Sequence, residues 1–443
     1  MKINKTTPIS HLTHEGAPAK RINAEQELRR SLMCCLLWEG TFYEDGISIA
    51  ERIASLVPKV DPPKVAELAI MAREQMKLRH APLWLVREMA RKTPHRALVA
   101  NTLARIIQRP DELTEFLALY WLDGRQPLAA QVKQGLAQAF TKFDAYQLSK
   151  YDRQGTVRLR DVLFLCHAKP KDAEQEKTWK QLIAGTLPSA DTWEVALSSG
   201  QDKKATWERL LSGGRLGGLA LLRNLRNMIT AGVPESAIKA SLQKMKTERI
   251  LPFRFIAAAR YVPALEAELE QAMFKSIQGH EKLPGKTIIL ADISGSMDNS
   301  ISAKSDIKRY DAANGLAILA RELCLEVAIY SFSNEVVRIP DRRGFALRDA
   351  IADSQDHTGT YLGQAVRAIN DKEQYDRIIV LTDEQAHDPV PNPKGKGYVI
   401  NVACYENGVG YGAWTHIDGW SEACLDYIQA TEEVDKQLSL RNI

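Results

Sequence analysis

The sequence predicts a two-part protein, with an all-α, HEAT-like helical-repeat module over residues 1–284 and an α/β doubly wound domain over 285–443. Three observations carry this. The apolar periodicity is helical from about residue 24 to 280 and switches to short β-runs alternating with helices at residue 286. The charge divides at the same place: residues 1–284 hold 43 Lys and Arg against 31 Asp and Glu, net +12, while residues 285–443 hold 16 against 24, net −8. The overall +4 conceals this asymmetry. A chain of 443 residues is also too long for one ordinary core.

Composition excludes some classes. With 45% hydrophobic and 26% charged residues the chain is neither disordered nor fibrous. No run approaches the ~18 uninterrupted apolar residues of a membrane span, and the N-terminal MKINKTTPISHLTHEG lacks the apolar stretch of a secretory signal. Cys34, Cys35, Cys166, Cys324, Cys404 and Cys424 show no paired CxxC spacing. They read as buried free thiols of a reducing, cytoplasmic compartment rather than a disulfide or zinc framework.

In the front part, Val65, Leu68, Ala69, Ala72 and Met76 mark one helix face. Leu113, Phe116, Leu117, Tyr120 and Trp121 mark another, opened by Pro110 and the acidic Asp111-Glu112, and Val132, Leu136, Ala139, Phe140 and Phe143 a third. Trp84, Tyr120 and Trp121 are expected in the core. Many short helices in succession suggest an α-solenoid with one surface free for a ligand. Basic residues cluster in two runs. Arg73, Lys77, Arg79, Arg87, Arg91, Lys92 and Arg96 face only Glu74 and Glu88, and Arg87, Arg91 and His95, four apart, are expected to form a ridge. Twelve Lys and Arg against three acids lie between 203 and 260. Distributed positive charge of this kind suits a phosphate backbone, because counterion release drives such binding. The GGRLGG stretch at 213–218 lacks the Lys-Ser/Thr ending of a phosphate loop and follows no strand, so it reads as a close-packed turn between helices, with Arg215 still able to touch a ligand.

In the back part, Lys286–Ala291 is a buried β-run ending in Asp292-Ile-Ser294-Gly-Ser296. A helix at about 310–323, strands at 325–332 and 336–339, a helix near 345–353, Thr360 opening the next helix, a strand at 377–381 ending in Thr382-Asp383, a strand at 397–403 and a last helix near 421–438 follow. Ligands of such sheets sit at the carboxyl ends of the strands. Two carboxylates (Asp292, Asp383) and three hydroxyls (Ser294, Ser296, Thr360) converging there are hard oxygen donors that suit Mg²⁺ or another divalent cation. This set resembles the metal-ion-dependent adhesion site (MIDAS) of von Willebrand factor A domains, and residues 285–443 resemble one throughout. The resemblance implies that all five residues ligate the metal directly or through water, with one position open to a partner's carboxylate.

The two halves together resemble the Ro ribonucleoprotein autoantigens and their bacterial relatives, a TROVE module followed by an A domain. The similarity rests on Leu37-Trp-Glu-Gly40-Thr41-Phe-Tyr43, on Arg160-Asp161-Val-Leu-Phe-Leu-Cys-His167-Ala-Lys169-Pro170, on Leu222-Arg223-Asn224-Leu225-Arg226-Asn227 and on Leu251-Pro252-Phe253-Arg254. It implies a monomeric closed ring of HEAT-like helices bridged by the A domain. It also implies small structured Y-like RNA on the basic outer surface and misfolded, single-stranded-ended RNA in the central hole. The protein would serve RNA quality control, processing or stress response, with an exoribonuclease or another RNA-processing protein as partner. Carried over by motif, His167 and Lys150 are the leading RNA contacts, Lys150 opening Lys-Tyr-Asp-Arg153. Arg153, Lys169, Lys142, Arg158, Arg215, Arg223 and Arg226 are secondary candidates in or beside the matched segments. Phe164 stands where relatives often have Arg and Cys166 where they have Ser, and both remove polarity beside His167.

The leading expectation is thus a non-catalytic RNA-binding scaffold. Two competing classes are a protein-interaction adaptor gripping a partner carboxylate through the metal, and a Mg-dependent phosphohydrolase. The last is disfavoured because such enzymes place a second acid two residues after the nucleophile, where this chain has Ser294.

Overall fold

The computed structural model describes residues 12–432, apart from 14, 18–22, 34–45, 153–154, 190–192, 199–201, 215, 248–249, 279–280, 302–306, 404–407, 409–411, 420–423, 426 and 430. Helices fill the front part: α1 (Ala24–Met33), α2 (Gly46–Leu56), α3 (Pro62–Glu74), α4 (His80–Arg91), α5 (Arg96–Ile106), α6 (Pro110–Tyr120), α7 (Ala130–Phe140), α8 (Ala145–Tyr151), α9 (Leu159–Cys166), α10 (Ala173–Ala184), α11 (Trp193–Ser198), α12 (Lys203–Ser212), α13 (Gly218–Thr230), α14 (Glu235–Lys244), α15 (Pro252–Tyr261) and α16 (Glu266–Ile277). Their ends follow local chemistry. Pro110 opens α6, and the Glu112 carboxylate accepts the backbone N–H groups of Gln108 (2.7 Å) and Arg109 (3.1 Å), which the first turn would otherwise leave unpaired. Asp172 caps α10 through the N–H of Gln175 (2.8 Å), and Gly185, at φ +69°, ends it.

Helices pack on chain neighbours and on helices two along (α3 with α5, α5 with α7, α7 with α9, α12 with α14, α13 with α15, α14 with α16), so each layer covers the apolar stripe of the one before. GGRLGG is the expected turn between α12 and α13. A Cβ at Gly218 would lie 2.4 Å from the carbonyl of Lys246, so only glycine permits that approach. The expected core residues Trp84 and Tyr120 are buried, whereas Trp121 is half exposed. Cys166, Cys324 and Cys424 are buried free thiols, and the other three cysteines lie outside the described residues. No helix among the described residues is long and apolar enough to cross a membrane.

The basic ridge expected from Arg87, Arg91 and His95 does not form. Arg87 and His95 are each 2% exposed. Arg87 lies over the Trp84 ring, 4.1 Å from its centroid, and donates to the Asp123 carboxylate (2.8 Å) and the Leu119 carbonyl (2.8 Å). Arg91 reaches the same carboxylate at 2.5 Å, Arg73 pairs with Glu112 (2.6 Å), and Arg79 pairs with Asp111 (2.7 Å) and Glu115. Acids of α6 and of the turn after it thus pair with Arg73, Arg79, Arg87 and Arg91 of this run from the neighbouring layer. The helix ends at Arg91, Lys92 is extended and His95 lies in a separate 3-10 turn, so the four-residue spacing does not carry a shared face as far as His95, and Arg87 is buried.

The back part is a six-stranded sheet with helices on both faces: β1 (Leu283–Asp292), α17 (Arg309–Leu323), β2 (Cys324–Phe332), β3 (Val336–Arg338), α18 (Gly344–Ala352), α19 (Leu362–Lys372), β4 (Arg377–Thr382), β5 (Lys396–Asn401) and β6 (Trp414–Asp418). The order is β3-β2-β1-β4-β5-β6, parallel except for β3. Alternate residues of β1 serve two cores. Ile289 and Ala291 join the cluster that includes Ile318 and Leu319 of α17 and runs on into the helical module, whereas Ile288 and Leu290 pack with Leu362, Val366 and Ile369 of α19. The last expected helix, near 421–438, falls largely outside the described residues, although Cys424, Leu425 and Ile428 are buried.

Both ends of the helical module grip this domain. At the front end, Thr13 donates to the Ala386 carbonyl (2.8 Å), and Arg30 of α1 forms a fully buried ion pair with Glu384. At the back end α15 packs on α17, where a Cβ at Gly315 would lie 2.9 Å from the backbone nitrogen of Phe253. Arg260 pairs with Asp311 (2.6 Å), and Glu270 accepts the N–H of Phe345 (2.7 Å).

Candidate functional site

In the sheet, β1 sits between β2 and β4, and the chain leaves β1 and β4 in opposite directions, which opens a crevice at their carboxyl ends. Asp292 ends β1 and Asp383 directly follows β4, and both are buried with Ser294 and Thr360. The Asp292 carboxylate accepts the Ser294 N–H at Oδ1 (2.8 Å) and the Thr382 hydroxyl at Oδ2 (2.6 Å). The hydroxyls of Ser294 and Ser296 are 3.2 Å apart. The loop before α19 is tied to the same turn, since the Thr358 carbonyl accepts the Gly295 N–H (2.9 Å). Thr360 is held from the other side, its N–H donating to Nδ1 of His387 (3.1 Å) and its carbonyl accepting the His387 N–H (2.9 Å).

Burial, and then the charge of Asp383, push the Asp292 carboxyl up to about 7. Arg309, which opens α17, donates to Oδ2 of Asp383 (3.1 Å) and neutralises one of the two acids, so Asp292 is left to a proton or a cation. Sequence reasoning did not find Arg309 or Thr382. The first opens a helix well beyond the Asp292–Ser296 turn, and the second reads as an ordinary sheet residue.

The donor set fits a divalent cation. Among the described residues no group of three or more His, Cys, Asp or Glu could hold a metal, so a cation here depends on hydroxyl oxygens beside the two acids. The 3.2 Å between the Ser294 and Ser296 hydroxyls is close to the ~2.9 Å between adjacent vertices of an octahedron with bonds of ~2.0–2.1 Å.

The basic candidates are dispersed. His167 ends α9 in the left-handed conformation (φ +54°, ψ +40°) and, like Lys169, is exposed. Lys150, near the end of α8, is half buried, with its ammonium 5.6 Å from the centroid of the Tyr151 ring. Arg158 precedes α9 and is half buried, its N–H donating to Asp161 (2.8 Å). Lys142 is exposed along its stem, but its ammonium is drawn onto the carbonyls of Ala104 and Ile107 at the end of α5, where desolvation lowers its pKa. It therefore caps a helix. Arg223 and Arg226 are exposed on α13, with Arg226 5.7 Å from the centroid of the Tyr261 ring. The Arg254 guanidinium, half buried on α15, has its pKa lowered by burial and then by the Arg223 charge. Arg153, Arg215 and the Leu37–Tyr43 stretch lie outside the described residues.

A stack of helices joined at both ends to a mostly parallel α/β domain, with acids and hydroxyls gathered at its strand ends, defines a two-part protein. Residues 177–284 match the model of the TROVE domain family. The fold is similar to the crystal structure of the Deinococcus radiodurans Ro (RSR) protein, with a TM-score of 0.59 at 18% identity, over 90% of this chain and 97% of that one. No curated protein sequence matches the chain. Together these findings bear out the resemblance to bacterial-type Ro proteins: one segment matches the TROVE family model, and the fold is similar to that of a bacterial Ro protein.

Proposed function

We propose that this protein is a non-catalytic RNA-binding scaffold of Ro type. The observation that carries the reading is the TROVE segment in a chain with a bacterial Ro fold. The helices close into a ring bridged by the A-like domain, a reading supported by the grip of Thr13 and Arg30 at one end of the module and of α15 and α16 at the other. Small structured Y-like RNA lies on the basic helical surface through Lys150, His167, Lys169 and neighbouring cations, and single-stranded RNA ends enter the central hole. The protein works in the cytoplasm as a monomer, in RNA quality control or processing, with an exoribonuclease or similar enzyme acting on what it holds. The −8 charge of residues 285–443 keeps phosphate backbones off that domain.

The test is titration of the full chain into fluorescent structured RNA, with and without a single-stranded 3′ tail, at several salt concentrations. Binding should weaken along a steep negative slope in log K against log salt, strengthen with the tail, and lose about one unit of slope in Lys150→Glu. Asp292→Ala should retain most of the affinity. Weak binding indifferent to salt and tail would refute the scaffold.

A second reading is compatible with the first and is favoured by the buried acid pair. Asp292, Ser294, Ser296, Thr360 and Asp383 hold Mg²⁺ or another divalent cation, which supplies an open coordination position for a partner protein's carboxylate. A protein complex that survives EDTA after RNA digestion would count against it.

A further inference from the structure

A hollow of about 410 Å³ opens between the end of α6, the start of α7 and the end of α9, and its walls include Trp121, Arg125, Gln126, Lys133, Phe164 and His167. We propose that it takes one unpaired nucleobase of a bound RNA, with Phe164 as the stacking face. The proposal rests on the RNA-binding reading above and adds a subsite to it.

Phe164 is 57% exposed, because α9 turns Leu159, Val162, Leu163 and Cys166 inward and leaves position 164 on the opposite face. An isolated exposed apolar residue needs no explanation, but this one stands in a concavity that joins apolar walls (Trp121, Pro127, Leu128, Leu165) to the cationic and polar Arg125, Lys133, Gln126 and His167. Trp121 is fixed there by its indole N–H, which donates to the Gln126 carbonyl (2.8 Å), and the Arg125 guanidinium lies 5.0 Å from the centroid of the Trp121 ring. Lys133 is half buried at the start of α7, and His167 is exposed at the end of α9. The lining contains no Asp or Glu.

These features match the parts of one nucleotide. A base offers flat π-faces to Phe164 and polar edges to Gln126 and His167, and its phosphates suit Arg125 and Lys133. The volume lies at the lower end of ordinary ligand pockets, large enough for a nucleotide. Paired bases of an A-form helix are already stacked and cannot enter.

The experiment uses the full chain with two RNA hairpins, one fully paired in its stem and one carrying a single unpaired 2-aminopurine. Wild-type protein should quench the 2-aminopurine fluorescence. Phe164→Ala should abolish the quenching and weaken binding of that RNA by roughly 5- to 150-fold. Its salt slope should stay unchanged, since stacking releases no counterions. Phe164→Tyr, which keeps the ring, should behave as wild type, and the fully paired hairpin should not distinguish the variants. RNA binding and 2-aminopurine quenching that Phe164→Ala leaves unaltered overturn the subsite alone. Absence of RNA binding by the wild-type protein overturns the scaffold reading together with it.

Discussion

Thr382, the last residue of β4, donates its hydroxyl to Oδ2 of Asp292, the last residue of β1, over 2.6 Å in the buried crevice. The same hydroxyl accepts the Glu384 N–H at 3.0 Å, so one side chain fixes both the acid and the turn that carries Asp383. Thr382→Val keeps the shape and removes both bonds. Leaving a buried carboxylate oxygen and a buried N–H without that partner should cost about 1–3 kcal/mol of stability. Urea denaturation of Thr382→Val and Thr382→Ser measures it. The serine variant should stay near wild type, and equal loss in both would assign the effect to the threonine methyl.

The Asp292 carboxyl sits near 7 in the folded protein, against about 3.9 for an ordinary aspartate. The metal-free fold therefore holds one more proton than the unfolded chain between roughly pH 4 and 7. Its stability from this group falls as pH rises through that window. A cation that binds only the folded site should reverse the trend, adding about 2.7 kcal/mol at one hundred times its dissociation constant. Thermal unfolding with Mg²⁺ against EDTA should thus show a larger rise in Tm at pH 8 than at pH 6, where the proton competes. Asp292→Asn should remove the rise at both.

The crevice was legible in the sequence because its chemistry is contiguous. Asp292, Ser294 and Ser296 follow one apolar run, and Asp383 ends another, so the strand period alone places them at one edge. Pairs between distant segments left no such trace. Arg30 belongs to a helix near one end of the chain and Glu384 to a turn near the other, and neither reads as buried until both are placed. The same physics hid β6. His416 and Asp418 look like loop residues, yet their side chains are buried and bond one another (2.6 Å), and His416 also meets Glu384 (2.9 Å). The Arg87–His95 ridge failed because α4 ends at Arg91, before His95, and because Asp123, beyond α6, takes up Arg87 and Arg91 from a distant segment.

Buried His95 makes acid sensitivity predictable in the helical module. Burial lowers its pKa, and backbone hydrogen bonds and Asp61 offset this only in part. It is neutral in the fold, whereas the unfolded chain takes up the proton near 6.5. The stability it contributes is therefore present above that pH and is lost as pH falls through it towards the depressed folded value. As pH drops from 7.5 to 5, the denaturant midpoint of the wild type should fall relative to that of His95→Asn, a comparison in which the opposite contribution of Asp292 cancels. Identical slopes would mean that His95 keeps an ordinary pKa. His416, whose pKa burial also lowers, contributes in the same sense as His95 in both proteins.

The contact of α15 with α17 can be tested by adding one methyl group. Gly315 lies inside α17, where alanine would normally stabilise a helix by about 0.5–1 kcal/mol. Its Cβ would stand 2.9 Å from the backbone nitrogen of Phe253 and 3.1 Å from the Phe253 Cβ. Backbone cannot swing aside as a side-chain tip can, so α15 must move off α17, at a cost of about 1–3 kcal/mol for overpacking. Overpacking outweighs the gain in helix propensity, and Gly315→Ala should lower stability. Because Arg260 and Asp311 bridge the same two helices, the shift should also lengthen that ion pair. Limited proteolysis should then cut faster between α16 and β1 in the variant than in the wild type. A Gly315→Ala protein more stable than the wild type would show that the helices separate freely there, and that the grip on the α/β domain comes from the ion pairs instead.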